Sequence, residues 1–108
     1  MSYISHYTPE TLSREEVDQT QGPMVLEFGA NWCAFCQGAQ PDIKAAIDNH
    51  PDVQHMKVED GKGRRLGRTF GVKLWPALIL LKDGHEVGRV VRPGSRSEIE
   101  EVLSQIEL

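Results

Sequence analysis

The chain has 108 residues, 39% of them hydrophobic and 26% charged, with a formal net charge of −4. That is the composition of one soluble globular domain, 1–108, large enough for its own core. It disfavours a spanning helix, because the longest apolar run, Trp75 to Leu81, falls well short of about 18 residues, and the net acidity argues against nucleic acid as the main partner.

The first residues, Met1 to Thr8, lack a basic stretch followed by an apolar one. No secretory signal is therefore expected, and a cytoplasmic, reducing location is the default. Ser5-His6-Tyr7 reads as a short first strand. Ser13-x-x-Glu16 has the spacing of a capping box and predicts a short helix to about Thr20, ended by Gly22-Pro23. Met24 to Ala30 is apolar enough for a strand buried on both faces. A long helix is predicted from about Cys33 to Asn49. Ile43 and Ile47 lie on its core face, and Pro41 inside it removes one backbone donor and predicts a kink. Val53 to Val58 alternates Val, Met and Val with Gln, His and Lys, the period of a strand with one polar face.

A Gly-rich basic stretch from Gly61 to Arg68 leads into a short helix near Arg64 to Phe70. It lacks the spacing of a phosphate-binding loop. Pro76 opens a buried strand through Leu81. Asp83-Gly84 is a turn signal, and Glu86 to Val91 is the returning strand of a hairpin. Ser95-x-x-Glu98 is a second capping-box pattern, opening a final helix to about Ile106 with Val102, Leu103 and Ile106 as its apolar stripe. The order βαβαβαββα predicts an α/β fold: a central mixed sheet of four to five strands, flanked by helices on both faces.

Charge is unevenly spread. Residues 57 to 96 carry 10 of the 12 Lys and Arg but only 4 of the 16 acids, a local balance of +6 against −10 for the rest. The only two cysteines sit in one C-x-x-C, Cys33-Ala34-Phe35-Cys36. In a reducing compartment that spacing indicates redox or metal chemistry rather than a staple. Zinc or iron–sulfur ligation needs further ligands. The four His are scattered and there is no second Cys pair, so no metal is expected in a monomer.

Taken together, these residues resemble the thioredoxin family. Trp32-Cys33-x-x-Cys36 follows a buried strand, Glu27 lies six positions before the first Cys, Pro41 falls inside the long helix, Lys57 is on the next strand, and Pro76 opens the late strand. The resemblance implies the thioredoxin fold over nearly the whole chain. It also implies thiol–disulfide exchange with protein substrates, with no cofactor beyond a redox-active Cys33–Cys36 disulfide, and a flavoenzyme reductase as electron donor. Several positions depart from the family's usual pattern. Ala34-Phe35 replaces Gly-Pro, Glu27 replaces Asp in the manner of disulfide isomerases, Trp75 precedes the late proline, Ala77 follows it in place of Thr, and Arg92 stands where Gly is usual.

On this resemblance Cys33 is the nucleophile. It lies at a helix N-terminus, where unpaired N–H groups and the helix dipole favour a negative charge. Cys36, one turn on and deeper, resolves the mixed disulfide. Glu27, buried in mid-strand, has to pair or titrate upward; Lys57 is its expected partner, and Glu27 takes the Cys36 proton through a water. Pro76 is expected cis, laying the backbone of Trp75 beside the sulfurs for an extended substrate. Trp32 and Trp75, with Phe35 between them, form an apolar docking surface around an exposed thiol. Lys73, Arg92 and Arg68 border it and predict a preference for acidic surroundings. A redox-regulated binding module or holdase is the alternative reading.

Overall fold

The computed structural model describes residues 3–106. In chain order the elements are α1 (Arg14–Asp18), β1 (Pro23–Gly29), α2 (Ala34–Asp48), β2 (Gln54–Glu59), α3 (Leu66–Thr69), β3 (Ala77–Lys82), β4 (His85–Val91) and α4 (Arg96–Ile106). One sheet runs β2-β1-β3-β4, with β1 and β2 parallel and the other pairs antiparallel. The expected strand at Ser5-His6-Tyr7 is reduced to a single parallel bridge between Thr8 and Val58. Only Thr8 exchanges backbone bonds there, donating to Lys57 O at 3.2 Å and accepting from Glu59 N at 2.7 Å.

Each face of the sheet has its own core. Alternate side chains of a strand point to opposite faces. Val25, Leu78, Leu80 and Val90 therefore meet Ile43 and Ile47 of α2 and Ile99, Leu103 and Ile106 of α4. Met24, Leu26, Phe28, Ile79 and Leu81 meet Val17 of α1 and Leu66 and Phe70 at α3. β1 and β3 are consequently apolar almost throughout, as strands covered on both sides must be. In the stripe expected for α4, Ile99 takes the deep position and Val102 is only partly buried.

Local signals account for the element ends. Ser13 and Glu16 form a reciprocal capping box on α1. At Ser95 only half of that motif forms: Ser95 Oγ accepts Glu98 N–H at 3.4 Å, while the Glu98 carboxylate takes Gly94 N–H at 3.1 Å. α2 continues through Pro41 as one helix. At the β3–β4 turn, Asp83 and Gly84 have φ of 50° and 80°, the left-handed pair a tight hairpin requires. The turn docks on α1, so a Cβ on Gly84 would lie 1.8 Å from the Asp18 carbonyl oxygen. Gly84→Ala is expected to lower stability by more than about 1 kcal/mol in urea unfolding, since left-handed backbone and a clash with main chain act together.

One strand reads differently in three dimensions. The polar face of β2 is interior: His55 and Lys57 are 2% and 3% exposed. Alternating polarity marks two unlike faces but does not say which one is wet. Here the N-terminal segment and α2 cover the polar one, and its polar atoms all find partners.

Candidate functional site

The chain leaves β1 at Gly29 and enters α2 at Cys33, its N-cap. The Cys33 Sγ accepts the Cys36 N–H at 3.2 Å, as an N-cap oxygen would. This sets the sulfur at the positive end of the helix dipole. Cys33 is 7% exposed and Cys36 1%, so the first thiol is more covered than the sequence suggests and the second is enclosed. Burial, and next the neighbouring Cys33, push the Cys36 thiol up to about 11.

Glu27 is wholly buried in the centre of β1, opposite Lys57 on β2. Lys57 was the expected partner, but its Nζ is 3.9 Å from Glu27 Oε2 and other groups stand closer. Glu27 Oε1 accepts from His55 Nε2 at 2.9 Å. Oε2 accepts from Gln40 Nε2 at 3.0 Å and from the Tyr7 hydroxyl. The Ile4 N–H points at His55 Nδ1 from 2.9 Å, which leaves Nε2 to carry the ring hydrogen and donate it to Glu27. Burial alone would raise the Glu27 carboxyl; the His55 hydrogen bond, the Lys57 charge and the Tyr7 hydrogen bond outweigh it and hold the group below its ordinary value.

Lys57 is held in turn. Its ammonium donates to Gln40 Oε1, to Tyr3 Oη at 3.2 Å and to Ser5 O at 3.2 Å, and sits 4.7 Å from the Tyr7 ring centroid. Burial lowers its pKa, with Glu27 and then Cys36 opposing.

The aromatic rim differs in arrangement from the expectation. Trp32 and Trp75 touch directly, edge to face, with centroids 5.6 Å apart. Phe35 does not lie between them; it stacks under the Arg92 guanidinium at 4.0 Å. The Arg92 Nε also donates to the Trp75 carbonyl at 2.9 Å, and its backbone adopts φ of 49°, a conformation that favours glycine. Trp75 is fixed from the other side by Nε1 donating to Asp60 Oδ2 at 2.8 Å. The Trp75–Pro76 peptide is cis. Trp32 is 76% and Phe35 61% exposed.

Two open grooves meet this rim. One, of about 500 Å³, is lined by Ala34, Phe35, Asp42, Arg92 and Pro93. The other, of about 490 Å³, carries Lys62, Arg64, Arg68 and Lys73 beside Trp75. Arg64 is paired with Glu59 at 2.6 Å, and Asp60 is engaged by Trp75. Among the described residues no group of three or more His, Cys, Asp or Glu is placed to hold a metal ion.

Tyr7, Gln40 and His55 belong to this site and were not singled out from sequence. For two of them a signal existed. Gln40 lies four residues after Cys36 on one helix face, and His55 two before Lys57 on one strand face. Tyr7 had none, since only the fold brings the N-terminal segment here.

With three hydrogen-bond donors on its oxygens, Glu27 keeps its charge to a lower pH than an ordinary carboxyl. The sign follows from linkage: a carboxyl lowered in the folded state gives stability that is present above its unfolded value and lost as pH falls through the folded one. The expected outcome is that the urea-midpoint difference between wild type and Glu27→Gln shrinks as pH drops below the ordinary 4.5.

Residues 5–105 match the thioredoxin family model. A thioredoxin of Chlamydia muridarum is 32% identical over 84 residues, covering 78% of this chain and 82% of that one. The solved structure of reduced thioredoxin 2 from Pseudomonas aeruginosa is 48% identical, covers 95% of this chain and 99% of its own, and superposes with a TM-score of 0.84. The thioredoxin NaTrxh of Nicotiana alata is 30% identical, covers 86% and 80%, and has a TM-score of 0.72.

Proposed function

Because this chain belongs to the thioredoxin family it is a thiol–disulfide oxidoreductase, and we propose that Cys33 attacks and Cys36 resolves. The carrying observation is the asymmetry of the pair: one sulfur caps the helix and takes its N–H, while the other is enclosed behind it with its thiol raised to about 11. The Cys33 thiolate attacks one sulfur of a substrate disulfide, forming a mixed disulfide and releasing the other substrate sulfur as a thiolate. Cys36 loses its proton and attacks the Cys33 sulfur. The Cys33–Cys36 disulfide forms, the second substrate thiolate leaves, and two electrons have passed to the substrate. Glu27 receives the Cys36 proton, and Lys57 supports the charges on both groups. No cofactor beyond that disulfide enters the cycle.

A flavoenzyme reductase restores the dithiol, and the protein works as a monomer in a reducing, cytoplasmic setting. Support for the setting is that both cysteines of the chain belong to the exchanging pair, leaving none for a structural bridge. Trp32, Phe35, Trp75, Pro76 and Arg92 form the docking rim for an extended client segment.

The exposed rim also favours a second reading, a holdase that grips apolar segments and uses the cysteines as a redox sensor. Insulin reduction with a dithiol donor separates the two. Under the enzyme reading Cys33→Ser abolishes turnover and Cys36→Ser accumulates mixed disulfides on Cys33. Under the holdase reading Cys33→Ser still prevents aggregation and no adducts form.

The basic groove beside Trp75 supports a client preference. Lys62, Arg68 and Lys73 have no acidic partner within it, apart from Asp60, which Trp75 holds. Disulfides set among acidic residues are expected to react faster than those among basic residues at low salt, with the ratio collapsing at high salt as the Debye length falls to about 3 Å near 1 M. Equal rates for both peptides at low salt would remove the preference.

A further inference from the structure

The enclosed Cys36 and the enclosed Glu27 need a path for a proton, and the surroundings leave few. Glu27 is 0% exposed. A cleft of about 320 Å³ reaches Cys36, Tyr7, Gln40 and Lys57 from the surface, but Glu27 is not among the residues lining it. Water in that cleft can meet the thiol and still be separated from the carboxylate. Tyr7 and Gln40, the two groups that hydrogen-bond Glu27 Oε2, both stand at that boundary.

Tyr7 spans the gap. Its hydroxyl donates to Glu27 Oε2. The same hydroxyl and the Cys36 sulfur each lie 2.7 Å from the point a Cβ on Gly29 would occupy, so both crowd one small space over β1 that only glycine leaves open. The backbone that carries the ring is anchored. The Asn31 side chain clamps the Tyr7 backbone, accepting its N–H at 2.9 Å and donating to its carbonyl at 3.1 Å, and Tyr7 itself is 5% exposed. Gln40 is the poorer carrier, because a primary amide has no exchangeable lone-pair-and-proton pair on one atom, whereas a hydroxyl both donates and accepts.

We propose that the Tyr7 hydroxyl is a catalytic residue of the resolving step, carrying the Cys36 proton to Glu27. The Cys36 S–H bond breaks as a new O–H bond forms on Tyr7, and the original Tyr7 proton passes to Glu27 Oε2. The phenol ends neutral, the carboxyl is protonated and Cys36 is a thiolate ready to attack Cys33. Two of the influences that keep Cys36 protonated, the hydrogen bond and the charge of Cys33, are removed once the Cys33 sulfur is tied into a mixed disulfide. Formation of the mixed disulfide therefore makes Cys36 easier to deprotonate at the step that needs its thiolate. Lys57, near both Cys36 and Glu27, steadies the charge at either end of the path.

The inference rests on Cys36 being the resolving thiol, and its test keeps the two ideas apart. With the aromatic disulfide DTNB as probe, the first thionitrobenzoate released reports attack by Cys33 and the second reports resolution by Cys36. Tyr7→Phe keeps the ring and removes the hydroxyl. The expected result is a first phase within about twofold of wild type and a second phase slower by about 100-fold, the lower end of what loss of a general acid–base group costs. A proton inventory of the wild-type second phase in H2O–D2O mixtures needs no variant; two protons in flight give a curved plot. An unchanged second phase in Tyr7→Phe, or a linear inventory, would overturn the relay. A wild type with no second phase at all would overturn it together with the role of Cys36.

Discussion

A carboxylate with no exposed surface has to be held by donors, and Glu27 draws them from three separate parts of the chain. His55 and Lys57 come from β2, Gln40 from α2 and Tyr7 from the segment before α1. An isolated buried charge costs several kcal/mol, and removing one partner of a buried pair typically costs about 3–5 kcal/mol. The network is thus a structural demand before it is a catalytic one. It explains why β2 turns its polar face inward and why residues 3 to 8 lie against that strand although only Thr8 exchanges backbone bonds with it. The same demand places Lys57 and Tyr7 beside Cys36, so the groups that stabilise the charge are the groups that can move a proton.

The two cysteines share a sequence motif but not an environment. Cys33 gains a backbone N–H and the helix dipole, whereas Cys36 is enclosed near a carboxylate that keeps its own charge. Separate roles follow from this difference in surroundings, not from the spacing of the motif. Around them the rim is apolar and aromatic on one side and cationic on the other, with Trp75 at the join.

Much of this was legible in the sequence because the signals were local. The apolar runs of β1 and β3, the Ser13 capping box, the Asp83-Gly84 turn and the C-x-x-C each depend on neighbours within a few residues. Glu27 and Lys57 were placed by resemblance, and the register does set them opposite one another. The remainder depends on contacts far apart in the chain. Which face of β2 is wet depends on what covers it, and the cover is a segment some fifty residues earlier, where Ile4 donates to His55. Tyr7 carries no pattern of its own. Ser5 to Tyr7 forms no ladder strand because Tyr7 is held by side-chain bonds to Glu27 and Asn31 instead.

Arg92 has one more consequence. Its guanidinium is wedged between the Phe35 ring and the Trp75 carbonyl, occupying an acceptor that faces the rim. A visiting chain that pairs with that oxygen meets a donor already in place, so it either shares the oxygen's two lone pairs or swaps one donor for another. A visitor that brings an acceptor for the guanidinium eases either arrangement.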